Sequence, residues 1–176
     1  MKYVKIPIDR VGVLIGKNGE TKSKIESYGI KIEVDSKIGE VKIESEDKIR
    51  EMEAENVVVA IGRGFSPEKA FLLFNEDYYL EIIDIRDWVG KKENHIKRLA
   101  GRIIGKDGRA REIIEELSGA YVSVYGHTVG IIGKIENLQI AKKAIEMLLD
   151  GANHSTVYRF LEEEHRRKRL MEFGIK

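Results

Sequence analysis

Apolar and polar residues alternate through KYVKIPI, from Lys2 to Ile8, which predicts a half-buried strand. The period then changes. A short helix is expected over roughly Asp9–Ile15, running into Gly16-Lys17-Asn18-Gly19, and a second from about Glu20 to Tyr28 with Gly29 as its C-cap. Two more alternating runs, IKIEVDS and EVKIESE, predict strands joined near Gly39. A longer helix follows from about Lys48 to Ile61 and stops at Gly62 and Gly64. Ser66-Pro67 reads as an N-cap with proline at the first helical position, opening a further helix through EKAFLLF.

The same order then returns. YLEIIDI predicts a strand, a helix leads into Gly105-Lys106-Asp107-Gly108, and another spans Arg109 to Leu117. AYVSVYG and TVGIIGK are strands, NLQIAKKAIEMLLD is a helix, and a last helix starts near Ser155. Gly12, Ile15, Gly16, Lys17, Gly19 and Ile25 align with Gly101, Ile104, Gly105, Lys106, Gly108 and Ile114 at one offset of 89 residues. That offset recurs at Ser66/Ser155 and at Phe71-Leu72/Phe160-Leu161, so a whole unit is duplicated. The expected architecture is α+β: two units, 1–75 and 76–176, each a three-stranded sheet with helices on one face and an extra C-terminal helix. With no flexible linker between them, the units are expected to pack as a rigid pair. The second unit carries about twelve extra residues, 86–97 (RDWVGKKENHIK), ahead of its loop. Trp88 in this insert is expected to pack over the unit's edge, with an added turn that contacts a ligand or partner as the alternative.

Charge changes the picture only locally. Charged residues are 35% of the chain, yet the net charge is +1. Lys91, Lys92, Lys97, Arg98, Arg102, Lys106, Arg109 and Arg111 form a basic segment opposed only by Glu93 and Asp107, whereas Glu40 to Glu55 is dominated by acids. There is no cysteine, which excludes disulfides and thiolate metal sites and favours a reducing, cytoplasmic setting. No apolar run approaches the ~20 residues of a membrane span, and MKYVKIPIDR is not read as a signal peptide, so no membrane partner is expected.

A helix, a G-x-x-G turn and a second helix gather backbone N–H groups at one place. The glycines let a sugar-phosphate backbone approach, and the following helix points its positive end at the loop. Gly16, Lys17, Asn18 and Gly19, with Lys22, form one candidate clamp. Gly105, Lys106, Asp107 and Gly108, with Arg98, Arg102, Arg109 and Arg111, form the other, and its denser cations predict that it dominates. Ile15, Ile25 and Ile32, or Ile104, Ile114 and Val122, are expected to line an apolar groove for unstacked bases, an arrangement suited to single-stranded RNA. Competing phosphate motifs fail: GRIIGK is one residue short of the Walker spacing, Asp107 stands where Ser or Thr would bind magnesium, and no G-x-G-x-x-G occurs.

IIGKDGRAREIIEELSGAYVSVYG and GVLIGKNGETKSKIE each resemble a KH domain, and the strand-first order resembles the type I arrangement. The paired domains with the insert DIRDWVGKKENHIKRLAGRIIGKDGRAR resemble the Dim2p-like archaeal relatives of the ribosome-assembly factors Partner-of-Nob-One and Krr. That resemblance implies binding near the 3′ end of small-subunit (16S) rRNA during pre-rRNA maturation. It also implies contact with the processing nuclease or with translation-initiation machinery. Eukaryotic members tend to lack the first loop motif; this chain keeps both.

The remaining chemistry points to no enzyme. His95, His127, His154 and His165 lack metal-ligand spacing, no nucleophile–base pair is legible, and no cofactor is expected. His165 to Arg169 follows Glu162-Glu163-Glu164, a spacing that favours ion pairs along a helix, with a basic arm as the alternative. Val157, Phe160 and Leu161 are expected to pack on the body; Leu170, Met171 and Phe173 would be a partner site if exposed. Two other functions stay open: an RNA-turnover or transcription adaptor, and a protein-interaction scaffold docking through the acidic Glu40–Glu55 face.

Overall fold

The computed structural model describes residues 1–174. The chain divides into two compact units between Leu80 and Glu81. In the first, strand β1 (Lys2–Lys5) leads to helix α1 (Ile8–Ile15), a tight turn, and helix α2 (Glu20–Glu26). Strands β2 (Lys31–Asp35) and β3 (Glu40–Glu44) and helix α3 (Lys48–Gly62) follow, then the short α4 (Pro67–Ala70) and a 3-10 turn through Phe74. The sheet order is β1-β3-β2, antiparallel throughout, with Ile32 opposite Ile43 and Val34 opposite Val41. The alternation seen in sequence thus turns Ile32, Val41 and Ile43 inward, where they join Leu14, Ile25, Val57, Val58 and Ile61 in the core.

The second sheet has the same topology, β4-β6-β5, from β4 (Tyr78–Asp84), β5 (Tyr121–Tyr125) and β6 (Thr128–Lys134). Its insert folds into α5 (Arg86–Val89) and the opening turn of α6 (Glu93–Ile104). Helices α7 (Arg109–Ser118), α8 (Ile135–Leu149) and α9 (His154–Glu172) complete the unit. Val122, Val129 and Ile131 from the sheet meet Ile103, Ile114, Leu138, Ile145 and Leu148 in one core, which Val157 and Leu161 of α9 close. Trp88 packs against this core and its Nε1–H donates to Asp150 at 2.8 Å, so it works as packing.

Local chemistry sets the helix ends. Asp47 accepts from the N–H groups of Ile49 and Arg50 at the start of α3, and Ser66 accepts from Lys69 N–H ahead of Pro67. Two arginines tie each unit's first long helix to the end of the helix behind it. Arg10 donates to the carbonyls of Ile61 and Phe65, both at 2.8 Å. Arg102 donates to the carbonyls of Leu148, at 3.2 Å, and Ala152. These are not equivalent positions in the repeat but lie one helical turn apart, so the anchor is duplicated in role while its residue has shifted.

Two carboxylates make the fold acid-sensitive. Glu51 accepts from the α-amino group of Met1 at 2.9 Å and from Ser45 N–H at 3.0 Å, with Lys48 at 3.4 Å. These donors, the α-amino group foremost, hold its carboxyl at about 2, below the ordinary 4.5, while burial works the other way. Asp84 is held at about 2, from 3.8, chiefly by the Arg86 guanidinium at 2.7 Å. The unfolded chain takes up these protons at higher pH than the folded one. Stability from both groups is therefore complete above about pH 5 and is lost as pH falls towards about 2. Denaturation midpoints should drop through that window, and Glu51→Gln should flatten the drop; a wild-type midpoint constant between about pH 5 and 2 would count against this assignment.

Candidate nucleic-acid interface

The two G-x-x-G turns have the same backbone. Gly16 and Gly105 have φ/ψ of 77°/172° and 75°/175°, and Gly19 and Gly108 have 74°/15° and 76°/9°. Between them, Asn18 at 55°/28° and Asp107 at 55°/27° are the only non-glycine residues with positive φ among the described residues. Asn and Asp are the side chains that tolerate this left-handed geometry, which explains why an acid stands in a basic loop. The first glycine of each turn is sterically required. A Cβ on Gly16 would lie 2.8 Å from Thr21 N, and one on Gly105 would lie 2.7 Å from Ala110 N. At Gly19 and Gly108 a Cβ would meet nothing within 4 Å, leaving that side of the turn open for a ligand's backbone to approach.

Asp107→Asn should preserve the turn and raise affinity for an anionic ligand about fivefold, the ~1 kcal/mol of one unit charge at contact distance in water. Asp107→Val should cost about 1–2 kcal/mol of stability by forcing a β-branched residue to positive φ. Anisotropy and chemical denaturation read the two effects.

Neither α2 nor α7 has a side-chain cap at its N-terminus, unlike α3, so the positive end facing each turn is not spent on the protein itself. Lys17, Asn18, Lys106 and Asp107 are exposed. Lys22 is half-buried, 3.5 Å from Glu26, and Arg109 lies 3.5 Å from Glu112 on an open surface. Such exposed pairs are worth ~0–1 kcal/mol and leave both cations available to a phosphate.

The structure sorts the remaining candidates. Arg98 is exposed. Arg102, through its carbonyl contacts, anchors α6 to the end of α8 and is a structural group. Arg111 is likewise committed: it donates to Glu115 at 3.2 Å, and the same carboxylate accepts from Val122 N–H at 2.8 Å, joining α7 to β5. Of the groove aliphatics, Ile15 is half-buried and Ile104 is 37% exposed, so these two reach the surface beside their loops. Ile25 and Ile114 are fully buried, and Ile32 and Val122 are each 2% exposed; all four shape the groove only from beneath. Sequence alternation says that one strand face is buried, but the face of Ile32 and Val122 is the one the helices cover.

Of the histidines, His154 donates to the Arg102 carbonyl at 2.8 Å, a structural contact. No cluster of three or more His, Asp or Glu that could hold a metal ion occurs among the described residues, and no described helix is long and apolar enough to cross a membrane. In the basic run of α9, Arg167 pairs with Glu164 at 2.7 Å and Glu136 at 3.0 Å, and Lys168 donates to the Ser118 carbonyl at 3.0 Å. Val157 and Leu161 are buried as expected, while Leu170, Met171 and Phe173 are exposed.

Strand, helix, G-x-x-G turn, helix, two strands and helix, twice over, define a tandem type I KH protein. Residues 79–166 match the model of the eukaryotic type KH-domain (KH-domain type I), and residues 1–64 match that of the KH domain. The chain belongs to the KH-domain family as a homologue of the archaeal Dim2p/PNO1 proteins. It is 49% identical over 180 residues to a KH domain-containing protein of Methanocaldococcus jannaschii, covering 99% of this chain and 78% of that one. With Pre-rRNA-processing protein PNO1 of Phaeosphaeria nodorum it shares 35% identity over 105 residues, 59% of this chain but only 40% of that protein. Among solved structures it resembles a chain of the a/eIF2alpha-aDim2p-rRNA complex from Pyrococcus horikoshii OT3, with a TM-score of 0.87, 53% identity and 94% of each chain covered.

Proposed function

We propose that this chain is a non-enzymatic single-stranded RNA-binding factor that holds small-subunit rRNA near its 3′ end during pre-rRNA processing and ribosome assembly. The observation that carries this reading is the pair of G-x-x-G turns, 89 residues apart, with matching backbone angles and uncapped helix ends behind them. Each turn offers a phosphate backbone an open side, a lysine and a helix N-terminus, with Ile15 or Ile104 beside it for a base. A single strand fits because its bases are free to leave the stack. The presence of rRNA with aDim2p in the Pyrococcus complex and the pre-rRNA-processing role in the name of the Phaeosphaeria relative support the choice of RNA. The a/eIF2alpha of the same complex supports a translation-initiation factor as the protein partner; a processing nuclease is the second candidate.

The test is fluorescence anisotropy with an oligonucleotide matching the small-subunit rRNA 3′ end and a shuffled control. The expected result is preferential binding of the matched strand. Equal affinity for both would remove the 3′-end assignment, and no binding to either would remove the RNA reading.

A further inference from the structure

The outer face of α6 differs from its counterpart in the first unit at one place. Helical spacing turns Ile96, Leu99 and Ile103 into the core and leaves Asn94, Lys97, Arg98, Gly101 and Ile104 exposed. Ile104 is the last residue before the second turn, so this face starts at the turn and runs back along the helix. From Ile104 to Lys97 it extends about 10 Å at ~1.5 Å per residue. Between them a Cβ on Gly101 would meet nothing within 4 Å, so bare backbone lies open there. Lys97 and Arg98 have no ion pair or hydrogen bond among the described residues. By contrast Lys22, Arg109, Arg111, Lys142 and Arg167 all pair with carboxylates.

The repeat shows what is special here. Lys97, Arg98, Gly101 and Ile104 correspond to Ile8, Asp9, Gly12 and Ile15. Next to the turn both copies present the same glycine and isoleucine. Two turns further out, the second copy has two cations where the first has an exposed isoleucine, at 61%, and an acid. The insert is what makes room for this: α1 begins at Ile8, whereas α6 begins four residues before the equivalent position, which places Lys97 and Arg98 inside a formed helix.

Taking the second turn as an RNA site, as proposed above, we infer that Lys97 and Arg98 form a phosphate subsite that carries the second domain's track beyond the turn by about two phosphates, one per cation. The arginine fork can take two phosphate oxygens and the lysine supplies a point charge beside it. The first domain, with Ile8 and Asp9 there, ends its track at the loop. The two KH units therefore hold stretches of different length, and the second favours a longer single strand.

The experiment uses the full chain with the first loop disabled by Lys17→Asp/Asn18→Asp. Affinity is measured for nested oligonucleotides of about four, seven and ten nucleotides from the rRNA 3′ end, the shortest matching one KH site. In this background affinity should rise about tenfold or more with length. Lys97→Ile/Arg98→Asp, which installs the first copy's residues, should collapse that ratio to about one. It should also lower the slope of log affinity against log salt by about 1.4, or ~0.7 per phosphate. Lys143→Gln/Arg159→Asp, the same change of net charge at two exposed cations elsewhere, should leave the ratio intact. An unchanged length ratio and slope in Lys97→Ile/Arg98→Asp would overturn the subsite while leaving the loop reading standing. So would an equal loss in the control pair, which would make the effect one of net charge. Absence of binding to every oligonucleotide by unaltered protein would instead sink the RNA reading itself.

Discussion

Lys106→Asp should weaken single-stranded RNA binding by about 30- to 150-fold, the ~2–3 kcal/mol carried by a charge-assisted contact to a phosphate. One substitution is enough in this loop because Asp107 is already acidic, so the turn becomes Gly-Asp-Asp-Gly. The fold should be indifferent. Lys106 is exposed and makes no ion pair among the described residues, and the left-handed position at 107, the strained one, is untouched. The slope of log affinity against log salt should also fall by about 0.7, the signature of one lost phosphate on a single strand. In the first loop the same end point needs Lys17→Asp/Asn18→Asp, and the expected loss is smaller, about tenfold, because the nearby cations are fewer. Anisotropy on the two variants, with melting curves to show that both remain folded, ranks the domains. Full-strength binding by the Lys106→Asp protein would place the RNA somewhere other than the second loop.

Much of this was readable from the chain because duplication acts as an internal control. One G-x-x-G is an ordinary turn; two at a constant offset, each between a strand and a helix, mark a repeated unit, and the structure gives them matching dihedral angles. Periodicity also located the strands of the first sheet, whose alternation reports a half-buried face. By contrast β6, buried from Thr128 to Gly133, was marked by an apolar run matching its counterpart in the repeat. The side-chain assignments were harder. The basic segment from Lys91 to Arg111 looked uniform along the chain, but folding divides it. Lys97, Arg98 and Lys106 face solvent, Arg111 is pinned to Glu115, and Arg102 turns towards the end of α8. Which face a charge occupies depends on where the insert ends and α6 begins, and helix starts are poorly marked when no side chain caps them, as here at Lys92. The depth of Ile32 and Val122 was hidden for a related reason. Alternation identifies two faces of a strand without saying which one the helices will cover.

Arg102 gives the clearest separation of structure from binding. Its guanidinium donates to the carbonyls of Leu148 and Ala152, at and just beyond the end of α8, where the last turn's carbonyls have no partner within the helix. Arg102→Ala would remove both charge-assisted bonds, leaving the Ala152 carbonyl to water or unpaired and the Leu148 carbonyl with only Gly151 N–H at 3.2 Å, at a cost of about 3 kcal/mol. For a unit of this size that lowers the melting temperature by on the order of 10 °C. Arg102→Lys should recover little, because an ammonium group cannot reproduce the planar fork that spans two carbonyls. RNA affinity measured well below the transition should stay within about twofold of wild type, since the guanidinium is spent inside the protein. An RNA contact would behave in the opposite way, with melting unchanged, affinity reduced and the salt slope lower by about 0.7. Thermal denaturation and anisotropy on the same Arg102→Ala sample therefore decide between the two roles, and the two bonds to the end of α8 make the stability loss the expected result.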